Sequence, residues 1–193
     1  MTMTLATALR CAAAAGALAI ASASFAPTFA QEPKMVGGAP MYAEKNIVEN
    51  AVNSADHTTL VAAVQAAGLV ETLSGPGPFT VFAPTNAAFA KLPAGTVESL
   101  VEPENKDTLT KVLTYHVVAG DHDAQSLVND IEAGGGKATL KTVEGGTLTV
   151  TRISDKRLGI TDESGNTAQT TIFDVSQSNG VIHVVDTVLM PSM

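Results

Sequence analysis

Gly77-Pro78-Phe79-Thr80-Val81-Phe82-Ala83-Pro84-Thr85-Asn86-Ala87-Ala88-Phe89 is the stretch whose reading decides the fold. Phe79 to Phe82 combine aromatic and β-branched side chains, which suit a pleated strand. Pro84 has no amide hydrogen to give to a ladder and ends the strand. Thr85 or Asn86 then caps a short helix whose first buried residue is Phe89. None of these side chains is a nucleophile, a base or a metal ligand, so the segment is architectural.

Outward from it, the two halves of the chain differ. Upstream, Ile47, Val48, Ala51 and Val52 recur at helical spacing. Asp56 is placed to cap a second helix with Leu60, Val61 and Val64 on its inner face and Gly68 as its stop. Ser74 to Pro78 is a turn. Downstream, Thr96 to Val101 reads as a short helix. Pro103 suits the first turn of another, whose stripe of Leu109, Val112 and Leu113 continues to His116. From Lys137 onward the pattern becomes strand-like: Lys137 to Thr142, Thr147 to Ile153, Arg157 to Thr161, Thr167 to Phe173, Gly180 to Val185 and Thr187 to Met190, separated by Gly-, Asn-, Asp- and Ser-rich turns. Helices first and strands later predict an α+β domain.

The chain has 193 residues and a formal net charge of −8. Residues 1–30 read as a secretory signal: Arg10, the apolar run Cys11 to Ala23, and small residues at Thr28 and Ala30 before a cleavage point. The alternative, a single membrane anchor, has too short an apolar run for the ~20 residues a span needs. Residues 31–43 read as a flexible leader, with Pro33, Gly37, Gly38 and Pro40, and residues 44–193 as one domain. Cys11, the only cysteine, leaves with the signal, so the mature chain has no disulfide and no thiol chemistry. The acidic balance argues against nucleic acid and anionic lipid as partners. The expected compartment is secreted or periplasmic, with surface association open, and the mature chain is expected to be monomeric with no membrane span.

Three stretches in order carry a family resemblance: the segment from Gly77 to Phe89, Leu113-Thr114-Tyr115-His116-Val117-Val118, and Asn179 to Asp186 continuing to Pro191. Together they resemble the signatures of the fasciclin (FAS1) domain in a single-domain bacterial member. The resemblance implies a compact fold of twisted β-sheets, in a wedge or sandwich, with several short packed helices. It assigns Phe79, Phe82, Pro84, Thr85, Phe89, His183 and Asp186 to the structural signature. It also implies cell adhesion or cell-surface association with a protein partner, no enzyme activity and no cofactor. Tyr115 and His116 match the motif that the family connects with adhesion. Some fasciclin-related proteins associate with carotenoids, so carriage of a small apolar ligand, a carotenoid or a lipid, is the alternative.

Each polar candidate also has a plain structural reading. His116, on an apolar stripe, suits a buried histidine that donates from one ring nitrogen and accepts at the other. His183 lies on a strand that is apolar on both faces. It precedes Asp186, but no Gly-x-Ser-x-Gly accompanies the pair, which argues against hydrolysis. Asp121-His122-Asp123 and Asp162-Glu163-Ser164-Gly165-Asn166 carry metal-ligating atoms without the spacing of a zinc site or a calcium loop. They read as an exposed loop and a hairpin turn, and no metal is expected. Gly134-Gly135-Gly136 and Gly145-Gly146 lack the frame of a phosphate loop.

Overall fold

The computed structural model describes residues 32–93, 95–154 and 157–192; the expected signal sequence lies outside them. Two strands form the middle of the molecule. β3 (Phe79–Pro84) runs parallel to β9 (Gly180–Val185), from the pair Phe79–Gly180 to the pair Pro84–Val185. β4 (Val117–Ala119) pairs antiparallel on the other side of β3. β8 (Thr167–Gln177) pairs antiparallel with β9, followed outward by β7 (Arg157–Thr161), β6 (Thr147–Ser154) and β5 (Lys137–Lys141). The seven strands thus run in the order β4-β3-β9-β8-β7-β6-β5.

β8 changes partner along its length. Its first residues, Thr167 to Gln169, pair with β7, and Thr170 to Gln177 pair with β9. Register shifts between Thr170 and Val175 interrupt the ladder, and Asp174 sits there at a φ of 54°. Bulges bend a strand and increase its twist. The sheet therefore folds along β8 into two halves and curls until its ends meet. Val118 of β4 bridges Thr142 just past β5, and the Val143 amide donates to the Val117 carbonyl at 2.8 Å.

The curl makes two cores. Phe82, Leu140, Leu148, Val150, Ile160 and Val185 fill the concave side together with Leu127 and Ile131 of α7 (Ala124–Ala133). On the other side Val81, Ala83, Ile182 and Val184 meet helices α1 (Ile47–Ala51), α2 (Thr58–Ala67), α3 (Val70–Ser74) and α6 (Lys106–Tyr115). β3 and β9 are apolar on both faces because each face has its own core. On the helix side, α4 (Asn86–Phe89) follows β3 at once. The Thr85 hydroxyl accepts from the Ala88 amide at 3.2 Å, and Phe89 is buried. α5 (Thr96–Leu100) lies on the surface before α6.

Several local expectations are corrected. The segment 31–43 is not a free leader. β1 (Lys34–Val36) and β2 (Ala39–Met41) form a hairpin over Gly37 and Gly38, and the hairpin seals Val36 and Met41 into the helix-side core. Asp56 does not cap α2. It lies in a 3-10 turn, Ala55–His57, and the Thr59 amide is capped instead by the Asn86 carboxamide, 3.0 Å away, from another helix. Thr187 to Met190 is not a strand: the Leu189 amide donates to His116 and the Met190 amide to Asp162 instead of to a ladder. Helices α3 and α7 were not anticipated; α7 starts where the Asp123 carboxylate accepts from the Ser126 amide at 2.7 Å.

The parallel β3–β9 pairing needs a residue without a side chain at its start. Gly180 has a φ of 152°, and a methyl group there would collide with the Phe79 carbonyl. Gly180→Ala is expected to lower stability by about 2–4 kcal/mol in urea denaturation. Gly165→Ala, on an open hairpin turn at positive φ, should cost only about 1 kcal/mol.

Candidate functional site

Three histidines are buried: His57, His116 and His183. His116 ends α6. Its Nδ1 donates to the Val112 carbonyl at 2.7 Å, and its Nε2 accepts from the Leu189 amide at 3.0 Å. One nitrogen donates and one accepts, so the bonds require the neutral ring with its proton on Nδ1. His183 takes the opposite tautomer. Its Nε2 donates to the His122 carbonyl at 2.8 Å, its Nδ1 faces the Asp174 amide at 3.4 Å, and its ring stacks on Phe82 with centroids 5.7 Å apart. Burial pushes the His183 pKa down and drives that of His116 to about 4.

Tyr115, beside His116, points into the other core and is fully buried. Its hydroxyl donates to the Thr147 carbonyl at 2.9 Å and accepts from the Glu163 amide at 3.1 Å. The neighbouring turn is closed by Asp162, which accepts from the Asn166 amide at 2.8 Å and from the Met190 amide at 3.0 Å. Tyr115 and His116 thereby tie α6, two hairpin turns and the C-terminal segment together. Neither side chain faces solvent.

The other candidates are also internally engaged. Asp186 accepts from the Gln169 amide at 2.9 Å and meets Lys91 in an ion pair at 3.3 Å. Burial raises its carboxyl, but the Gln169 amide, the Thr187 hydroxyl and Lys91 outweigh burial and hold it below the usual range. Asp186 does not bond His183. In the Asp121–Asp123 loop, His122 uses its backbone, donating to the Thr80 hydroxyl and accepting from His183. Among the described residues, no group of three or more His, Asp or Glu side chains is placed to hold a metal ion.

The third histidine, His57, was not singled out by the sequence reading. It precedes Leu60, Val61 and Val64 at helical spacing, and that stripe was the signal available. Ser54 Oγ lies 2.9 Å from its Nδ1, while Nε2 is the one buried side-chain polar atom without a partner among the described residues. Burial lowers its pKa, opposed by the nearby Ala83 carbonyl and Asp56. His57 faces an apolar cleft walled by Val48, Ala51, Val61, Val70, Ala83 and Ile182.

With this geometry in hand, the chain can be placed among known proteins. The pattern of the fasciclin domain matches residues 55–191. The chain belongs to the fasciclin domain family. It is 50% identical over 147 residues to "Protein sll1483" of Synechocystis, a match covering 76% of this chain and 74% of that protein. It is 40% identical over 146 residues to the immunogenic protein MPB70 of Mycobacterium bovis, covering 73% and 66%. It is 35% identical over 167 residues to the cell surface glycolipoprotein MPB83 of the same species, covering 84% and 68%. In fold it matches a FAS1 domain pair from the insect cell adhesion molecule fasciclin I, with a TM-score of 0.67, 18% identity, and coverage of 76% of this chain and 51% of that one. The signatures of this fasciclin domain thus fall on core, cap and turn residues. Among the described residues, no helix is long and apolar enough to cross a membrane.

Two measurements test the structural role of the Tyr-His pair. His116→Ala is expected to lower stability by about 1–3 kcal/mol, since it strands the Val112 carbonyl and the Leu189 amide. The wild type is expected to lose stability as acid is added. An unfolded histidine titrates near 6.5 and folded His116 near 4, so the unfolded chain binds the proton first. Stability from His116 is fully present above pH 6.5 and falls by about 3 kcal/mol as pH drops to 4. Chemical denaturation at pH 7 and pH 4.5 reads the change, and His116→Ala should flatten it.

Proposed function

We propose that this fasciclin-domain protein is an exported, non-catalytic interaction module that associates with a protein partner on the cell surface or in the envelope. We place the contact on the β1–β2 hairpin and α1 rather than on Tyr115 and His116. The observation that carries this is that three of the six large apolar side chains exposed among the described residues fall on this part of the chain, while Val101, Val143 and Ile153 are scattered over the end of α5, the turn after β5 and β6. Met35, Tyr42 and Val52, with exposures of 58%, 41% and 51%, lie on β1, just after β2 and at the end of α1. Asn50 of α1 holds these pieces together: its side chain bonds both the amide and the carbonyl of Tyr42. Lys45 sits 5.2 Å over the Tyr42 ring and props it at the surface. Exposed aromatic and methionine side chains on a rigid base are the usual anchors of protein contacts. The expected signal sequence supports export, and a mycobacterial relative named as a cell surface glycolipoprotein is consistent with it.

The test compares wild type with Met35→Glu/Tyr42→Glu/Val52→Glu for attachment of the labelled mature protein to intact cells of its host. The triple variant should lose about tenfold or more of saturable attachment with its melting temperature within a few degrees of wild type. Unchanged attachment would move the surface elsewhere.

A second reading, carriage of a small apolar ligand, is favoured by the cleft beneath α1, α2 and α3. Mass spectrometry of an organic extract of protein purified from its host distinguishes the two readings: a stoichiometric apolar molecule supports carriage, and a clean extract counts against it.

A further inference from the structure

The cleft between the helices and the sheet has apolar walls and one unsatisfied polar atom. Val81, Ala83 and Ile182 form its floor, and Val48, Ala51, Val61 and Val70, all half-buried, form its mouth between α1, α2 and α3. His57 is only 3% exposed; the Ala83 carbonyl lies near its ring, but its Nε2 is left without a hydrogen bond of good geometry. A buried polar atom left without a bond costs free energy comparable to a lost hydrogen bond, and native interiors rarely tolerate one. His116 also lines the cleft, but both of its ring nitrogens are bonded within the protein. Inside the cleft, His57 Nε2 is therefore the only side-chain nitrogen of the two histidines left for a guest.

Size and charge narrow the guest. The enclosed space is about 50 Å³, against about 150 Å³ for a cavity that takes benzene. A ring does not fit, whereas a slender chain can reach inward and leave its remainder along the valine-lined mouth. No Lys, Arg, Asp or Glu lines the cleft, so a charged head would be buried without compensation. A hydroxyl both donates and accepts, so it satisfies Nε2 in either tautomer of His57, whichever way the Ser54 hydroxyl is turned.

We propose that the cleft binds an unbranched apolar chain ending in one neutral hydroxyl, with the hydroxyl bonded to His57 Nε2. This rests on the carrier reading above and names its ligand chemistry. It also sets the ring-ended carotenoid aside as a guest for this cleft.

The experiment is calorimetric titration of the mature protein at pH 7.5 with 1-octanol, octane and octanoate, joined to nitrogen NMR of the His57 ring. Octanol should bind saturably, about tenfold tighter than octane, with octanoate weaker than octanol, and should shift the Nε2 resonance. Val61→Trp, at the half-buried mouth, should abolish octanol binding while the protein stays folded by circular dichroism. Equal affinity for octanol and octane, or an Nε2 resonance unmoved at saturation, overturns the hydroxyl anchor but leaves carriage standing. Full affinity in Val61→Trp overturns the location. Failure of all three probes to bind overturns the proposal and the carrier reading together.

Discussion

The parallel pairing of β3 with β9 is the constraint on which the rest depends. The two strands are far apart in sequence, so their pairing brings the first signature against the last and fixes everything between them. Their alternating side chains then have to be buried on both faces. Val81, Ala83, Ile182 and Val184 go to the helices, and Phe82 and Val185 go to the curled half of the sheet. A conventional one-faced sheet would leave one of these sets in water. The curl along β8, with its shifts in register, supplies the second cover.

Polar groups trapped by this arrangement are nearly all paired, and the histidines show how. His116 and His183 hold opposite tautomers because each is placed between one backbone donor and one backbone acceptor. Each joins segments that no ladder connects: His116 links α6 to the C-terminal segment, and His183 links β9 to the loop before α7. Burial makes the neutral ring the stable form, and the neutral ring alone can accept a hydrogen bond. The unpaired atom of His57 stands out because its neighbours are so well satisfied.

Much of this was legible in the sequence. The strand and cap from Phe79 to Phe89 follow from β-branched and aromatic residues, a proline stop and a hydroxyl cap, all local effects. The hairpins of the second half follow from turn composition. The errors share a cause. Asp56 has the chemistry of a cap, but α2 takes its cap from Asn86, a residue on a different helix. Thr187 to Met190 has the composition of a strand, but side chains of Asp162 and His116 take its amides. The hairpin of residues 34–41 has the glycines and prolines of a leader, yet Val36 and Met41 find a core to enter. In each case a distant partner decided between two locally acceptable states.

The sequence by itself determined the α+β class and the family, because these rest on local propensity, on periodicity and on motifs that can be read in order along the chain. Tertiary structure alone decided that Tyr115 and His116 face inward, that Met35, Tyr42 and Val52 stay exposed, and that His57 keeps an unbonded nitrogen at the wall of an apolar cleft. Exposure and hydrogen-bond satisfaction belong to the whole packed chain: a side chain is buried or free according to which segments meet around it.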